Sequence, residues 1–295
     1  MNDAIQQAGR EALAPIDGIL VINMDTSPER YEHFISSVGK FLPEAKLERI
    51  SAVAGRELPS YGRAPWFTEK TGERARFWGG TGGCALSHRN AIAYARKKGW
   101  RNVLIFEDDV YFEPSEDAFA AVKEALATLR GPYIFYLGYN RPAPFGVEYC
   151  RCGSSSVWRT EGVIAAHAYI VSSELYDALL EVFPKADDDV WEWLGKYRAV
   201  DVLYRDFVPS WRGVNVYVLD PILCLQTDGE SNIGLNAAGG TGAACRQTPR
   251  NYRSVAGMWH WLTSPCRRLK IKLNSLRTQL RARRGGLPGA KKPRH

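Results

Sequence analysis

A chain of 295 residues with 45% hydrophobic and 24% charged residues is ordinary for a globular protein and long enough for one large α/β domain with an appendage. Its net charge of +7 is unevenly placed: residues 267–295 carry Lys and Arg but no Asp or Glu, and that excess alone outweighs the net charge, so the remainder is slightly acidic. A uniformly basic nucleic-acid face is therefore not indicated for the body, no apolar run is long enough to cross a membrane, and the six cysteines fit no pair of C-x-x-C metal knuckles.

Met1 to Ala14 is polar and has no apolar stretch of the kind a secretory leader needs, so the expectation is a cytoplasmic protein with reduced thiols. Residues 1–15 read as a short arm. Gly18-Ile19-Leu20-Val21-Ile22 reads as a buried strand ending in Asn23 and Asp25. Thr26-Ser27-Pro28-Glu29 then reads as a capped helix start, and Tyr31, Phe34, Ile35, Val38, Phe41 and Leu42 follow at helical spacing. Arg30 falls in the first turn, where the helix dipole disfavours a cation unless an anion lies near. A second strand runs over Leu47–Val53 and ends at Ala54-Gly55. Residues 56–78 read as irregular. Gly79, Gly80, Gly82 and Gly83 suggest either a phosphate loop or a flexible turn before a helix; neither the P-loop nor the dinucleotide fingerprint fits. Beyond them Cys84, His88, Ala91 and Ala95 share one helix face, where a histidine is more often a satisfied core residue than a ligand.

Val103-Leu104-Ile105-Phe106 is a short β-branched and aromatic run, hence a buried strand, and it delivers Glu107, Asp108 and Asp109 at its end. Three adjoining carboxylates raise one another's pKa and do not all ionise unaided. A hard divalent cation, Mg or Mn, shared with a diphosphate is one way to hold them; a solvated acidic turn is the other reading. Downstream come a helix marked by Phe119, Val122, Leu126 and Leu129, a strand at Tyr133–Gly138, a loop over 139–160, a strand at His167–Ser172 and a Ser-capped helix with Leu175, Leu179, Leu180 and Phe183. Asp187-Asp188-Asp189 precedes Trp191 and Trp193. A helical piece opens at Val200-Asp201, and a strand runs from Asn215 to Leu219. Residues 229–242 read as a polar, glycine-rich loop. This alternation predicts a mainly parallel α/β sheet, with the triplet at a strand's C-terminal end, where such sheets bind ligands.

Asn23-x-Asp25 with Pro28-Glu29-Arg30, then Gly83-Cys84-Ala85-Leu86-Ser87-His88, then Leu104-Ile105-Phe106-Glu107-Asp108-Asp109-Val110 resemble glycosyltransferase family 25. The resemblance covers about residues 16–235. It implies a GT-A-type, Rossmann-like mixed α/β sheet flanked by helices, and a galactosyltransferase-like activity on lipopolysaccharide or another surface glycan. It places Asn23, Asp25 and Arg30 around the nucleotide and Ser87 and His88 behind the donor pocket. Glu107 and Asp108 then face the sugar nucleotide, and Asp109, with Glu107, contacts the metal. The implied cofactors are Mn or Mg and a donor such as UDP-galactose. Many relatives carry Asp before the glycine that ends the second strand, where this chain has Ala54-Gly55, so a base or ribose contact differs here.

If the reaction inverts, the acceptor hydroxyl attacks in line and needs a general base. Asp201 is the candidate, with Asp188 and Asp189 behind it; the alternative for Asp201 is a helix N-cap, and for the Asp187–Asp189 run a solvated loop. Gln226, Asp228 and His167 are candidates for a further metal ligand. The expected organisation is an arm at 1–15, a GT-A-type domain at 16–255 and a basic amphipathic tail at 256–295. In that tail Leu269, Leu273, Leu276 and Leu280 form one apolar stripe among basic residues, as in a helix lying on an anionic membrane surface. The expected partners are a glycan or lipid-linked acceptor and the inner membrane surface, with no specific nucleic acid and no oligomeric state indicated. The rival class is a peripheral membrane or nucleic-acid-binding protein whose acidic triplet is structural.

Overall fold

The computed structural model describes residues 3–63, 67–68, 70–140, 145–227, 250–251 and 273. In chain order its main elements are α1 (Asp3–Ala12), β1 (Gly18–Asn23), α2 (Pro28–Ser37), β2 (Leu47–Ser51), α3 (Gly72–Lys98), β3 (Asn102–Glu107), β4 (Val110–Phe112), α4 (Glu116–Thr128) and β5 (Tyr133–Asn140). There follow β6 (Phe145–Cys152), β7 (Ser155–Thr160), β8 (Ile164–Ser172), α5 (Tyr176–Val182), α6 (Val190–Tyr197), α7 (Val200–Asp206), β9 (Asn215–Asp220), β10 (Cys224–Gln226) and β11 (Arg250–Asn251).

Nine strands form one sheet in the order β11-β6-β7-β9-β5-β8-β3-β1-β2, and β4 pairs with β10 beside it. All six residues of β1 are buried, as expected of a parallel strand covered on both faces. Leu20, Ile105, Tyr136 and Tyr169 point to one layer with α3, α5, α6 and α7. Their neighbours Val21, Leu104, Phe106 and Ile170 point to the other, with α1, α2 and α4. This is the period-two alternation of a strand. Phe106 is fully buried, its ring centroid 5.3 Å from that of Phe34. Truncating it to Ala would cost about 3–5 kcal/mol. Because β2, β1 and β3 run parallel, with Asn23 opposite Ser51 and Ile22 opposite Glu107, their C-terminal ends share one edge.

The sheet is mixed and flanked by helices, as the resemblance implies, and less parallel than the alternation alone suggests: β8 runs antiparallel to both β3 and β5. Between β5 and β8 the chain makes the hairpin β6–β7 and no crossover helix of the kind that joins parallel neighbours. Four further expectations change. Residues 3–12 form a helix rather than an arm, followed by the fully buried Leu13. Helix α2 is capped by Ser27 without a side-chain bond, so the box from Thr26 to Glu29 does not form. The stretch read as a loop at 139–160 contains the hairpin β6–β7, which extends the sheet. The glycines at 79–83 lie inside α3, which already begins at Gly72, so they are neither a phosphate loop nor a turn before a helix. The loop at 229–242, Asp228 and, except for the helical and exposed Leu273, the basic tail lie outside the described residues.

Candidate functional site

Glu107 is the last residue of β3, and Asp108 and Asp109 make the turn into β4. Strand β4 pairs antiparallel with β10, which sets Gln226 opposite Val110. Thr227 secures the turn, donating from its backbone N–H (2.8 Å) and its hydroxyl (3.2 Å) to the carbonyl of Asp109. The side-chain amide of Gln226 then lies 3.4 Å from Glu107 Oε2 and 3.4 Å from each carboxylate oxygen of Asp109. Asn140 donates to Gln226 Oε1 at 3.5 Å and orients that amide.

The three carboxylates have separate surroundings. Asp108 pairs with Arg30 and accepts from Asn23 Nδ2 at 2.7 Å. The anion that answers the cation in the first turn of α2 is thus a protein carboxylate. Burial raises the Asp108 pKa against the pull of Asn23 and Arg30. Burial, and then the charge of Glu107, push Asp109 up to about 7, with Arg30 opposing. Burial also works against ionised Glu107, but the hydrogen bond and charge of His88, with help from His167 and Arg30, hold it below the usual carboxylate range.

Helix α3 forms the other wall. Cys84 and His88 lie one turn apart and both face Glu107 Oε1, with Sγ at 3.8 Å and Nε2 at 3.3 Å. His88 Nδ1 lies 2.7 Å from the hydroxyl of Tyr169, which it meets as donor when the imidazole is charged and as acceptor when it is neutral. Tyr169 lies 3.3 Å from the hydroxyl of Tyr204 on α7. His88 is therefore both a buried, satisfied residue and part of the acidic site. Ser87 accepts from the backbone N–H of Val53 at 2.8 Å and donates to the carbonyl of Gly83 at 2.7 Å, tying the end of β2 to α3. The glycines permit that approach. A Cβ on Gly83 would lie 2.2 Å from the carbonyl oxygen of Val53, and one on Gly55 would lie 2.1 Å from that of Gly79.

Two cavities meet at Cys84 and Glu107. The smaller, about 280 Å³, lies between residues 52–57, the glycine turn of α3, Arg30 and the triplet. The larger, about 640 Å³, is bounded by α6, α7 and Gln226 and contains Asp201. Burial raises the pKa of Asp201, opposed by the backbone N–H of Val202 and by Arg205. Ala199, not Asp201, caps α7, so the N-cap alternative is not realised.

Other candidates lie apart from these cavities. Asp188 accepts from Ser60 at 2.6 Å and Asp189 from the backbone of Ala186 at 2.8 Å, and neither lines either cavity. Asp25 is bound by Arg49 (2.6 Å) and Ser51 (2.9 Å) at the surface. Asn23 is buried and acts through Asp108. His167 faces the carbonyl of Cys224 at 3.2 Å rather than a carboxylate. The sequence places Cys84 on the His88 face and in the Gly83–His88 motif but gives it no role, and it does not single out Asn140 or Tyr169. Only Cys84 carried a local signal, its spacing of four from His88.

The residues present fit a hard cation. Three oxygens of Glu107 and Asp109 converge on the N–H₂ group of Gln226, a place where positive charge is favoured and where a flipped amide would offer its own oxygen. Oxygen donors of this kind suit Mg or Mn.

No curated protein matches the chain. Among solved structures it is similar to mannose-1-phosphate geranyltransferase from Thermus thermophilus, with 15% identity and a TM-score of 0.33 over 73% of this chain and 65% of that one. The chain thus spans slightly less than two thirds of that protein. Residues 16–137 match the model of glycosyltransferase family 25 (LPS biosynthesis protein). The match takes in Asn23, Arg30, Ser87, His88 and the triplet, whereas Asp201 and Gln226 lie beyond it. That match covers the part of the sheet that carries the acidic triplet, less than half of the chain, and it supports a glycosyltransferase.

Proposed function

We propose that the chain is a metal-dependent glycosyltransferase that moves a hexose, galactose from UDP-galactose, to a hydroxyl of lipopolysaccharide or another surface-glycan acceptor, with inversion. The observation that carries this reading is the convergence of Glu107 and Asp109 on Gln226 at the junction of two cavities. In this reading the smaller cavity receives the sugar nucleotide and the larger the acceptor. Asp109, Glu107 and Gln226 would hold Mn or Mg. A divalent cation there neutralises charge on the departing diphosphate. Arg30, fixed by Asp108, presents a second positive charge to the same cavity. Asp201 takes the proton of the attacking hydroxyl, and its raised pKa makes it a stronger base than an exposed carboxylate. Asp188 and Asp189 act at most from behind it. The division into a domain over 16–255 and a basic tail over 256–295 belongs to the same proposal. The tail would hold the protein on the cytoplasmic face of the inner membrane, beside a lipid-linked acceptor.

A panel of sugar nucleotides with Mn, scored for donor hydrolysis and transfer, tests the reading. Transfer from UDP-galactose with an inverted anomeric centre is expected, and Asp109→Asn should abolish it. Turnover of no donor, or full activity in the variant, would overturn it. Ala54-Gly55 borders the proposed donor cavity where many relatives carry Asp, so the panel should include other bases and sugars. Salt-sensitive RNA binding without turnover would favour the rival class. Deleting residues 267–295 should reduce sedimentation with anionic vesicles.

A further inference from the structure

Glu107 turns its two oxygens to different neighbours. Oε2 faces the Gln226 amide, while Oε1 faces Cys84 Sγ and His88 Nε2. On that second side a thiol sulfur, an imidazole nitrogen and a carboxylate oxygen all lie within 4.8 Å of one another. This donor set differs in kind from the oxygen-only set around Asp109. Sulfur and imidazole select zinc-class cations, whereas carboxylate and carbonyl oxygen suit Mg and Mn. The placement is built into the fold. Cys84 and His88 share one face of α3 at a spacing of four, and β3 brings Glu107 to that face. The far nitrogen of His88 is held by Tyr169, the kind of orienting hydrogen bond that histidine ligands carry. Cys84 and Glu107 line both cavities, so an ion can reach them.

We propose that Cys84, His88 and Glu107 form a second, inhibitory seat for a zinc-class divalent cation, distinct from the oxygen-only set of Glu107, Asp109 and Gln226. On binding, the thiol releases its proton to solvent. The imidazole binds through Nε2 and carries its proton on Nδ1, toward the Tyr169 hydroxyl, which can pass its own hydrogen bond to Tyr204. Glu107, drawn to the soft ion, is no longer available to the hard one. The inhibition rests on the proposed transferase reading; the seat itself does not.

Cobalt reports the seat directly, because a thiolate ligand gives Co²⁺ a charge-transfer band in the near ultraviolet and the Asp109 set contains no sulfur. Titration of the full chain with Co²⁺ should produce that band, and Zn²⁺ should remove it. Cys84→Ser should abolish the band and weaken Zn²⁺ binding by about 100-fold or more, while the double variant Cys150→Ser, Cys152→Ser keeps it. On the unaltered chain, Zn²⁺ but not Mg²⁺ should protect Cys84 from iodoacetamide, read by peptide mass spectrometry. This second measurement decides the matter if Cys84→Ser does not fold. A wild-type chain with no band, a band that survives Cys84→Ser, or Cys84 alkylated equally fast with Zn²⁺ overturns the seat. Binding without loss of Mn-supported transfer overturns the inhibition alone, and absence of transfer with every donor leaves the binding readouts to stand or fall by themselves.

Discussion

The amide nitrogen of Gln226 lies 3.4 Å from both carboxylate oxygens of Asp109, across the β4–β10 pair. One neutral amide is a weak partner for a carboxylate that burial and Glu107 push up to about 7. A folded-state pKa raised above the unfolded value of about 3.9 favours the folded state fully at low pH and loses that contribution as pH rises through the folded value. The metal-free protein should therefore lose stability on this account between pH 4 and about 7. Asp109→Asn removes the effect. Its melting temperature should match the wild type near pH 4 and exceed it by a few degrees at pH 8, on a scale of about 2–4 °C per kcal/mol. Melting curves without metal and with excess EDTA would check this, and parallel pH profiles for the two proteins would refute it.

Metal addition should reverse that slope. Mn²⁺ binds the ionised pair, so the wild type should gain melting temperature on adding Mn²⁺ at pH 8 and gain little at pH 5. Gln226→Ala should raise the Mn²⁺ concentration needed for half-maximal rate by about 10–100-fold. An unchanged metal requirement would place Gln226 outside the cation's surroundings.

Asp201→Asn separates acceptor-side chemistry from donor binding. Loss of a general base costs about 10²–10⁴ in rate. The fall should appear in kcat, with the donor KM nearly constant, because Asp201 lines the larger cavity and not the smaller. A raised KM with kcat preserved would make Asp201 a binding residue instead.

Gly83→Ala tests the contact between α3 and the end of β2. Its Cβ would fall 2.2 Å from the carbonyl oxygen of Val53, a backbone atom that cannot rotate aside. Overpacking of this kind costs about 1–3 kcal/mol. Chemical denaturation should show that loss, and donor KM should rise because the displaced wall borders the smaller cavity.

The parts of this site that could be read in the chain are those set by short-range pattern. The run Val103–Phe106 is buried because it is β-branched and aromatic, and the triplet's position at the strand end follows. Cys84 and His88 share a face because a helix repeats every 3.6 residues. Gln226 reached the site only as one of three candidates, because its pairing with Val110 spans more than a hundred residues. The glycines misled because their conformational freedom suggests a loop, whereas here their lack of a side chain lets one backbone rest on another. The hairpin at 145–160 was missed because its polar residues, among them Arg151 and Ser156, mask the alternation. Arg30 was legible as a cation awaiting an anion, but no local pattern named Asp108.

The glycine turn of α3 also has a consequence for motion. Glycine costs about 1 kcal/mol relative to alanine in a helix interior, and Gly79, Gly80, Gly82 and Gly83 fall within five residues of one helix. That turn is held less by its own propensity than by residues 53–57 on one side and Trp191 on the other. Its amide hydrogens should exchange with deuterium sooner than those around Ala91 and Ala95, and a ligand resting on residues 52–57 should slow them. The middle of a long helix would then act as its most labile segment, steadied by whatever fills the adjoining cavity.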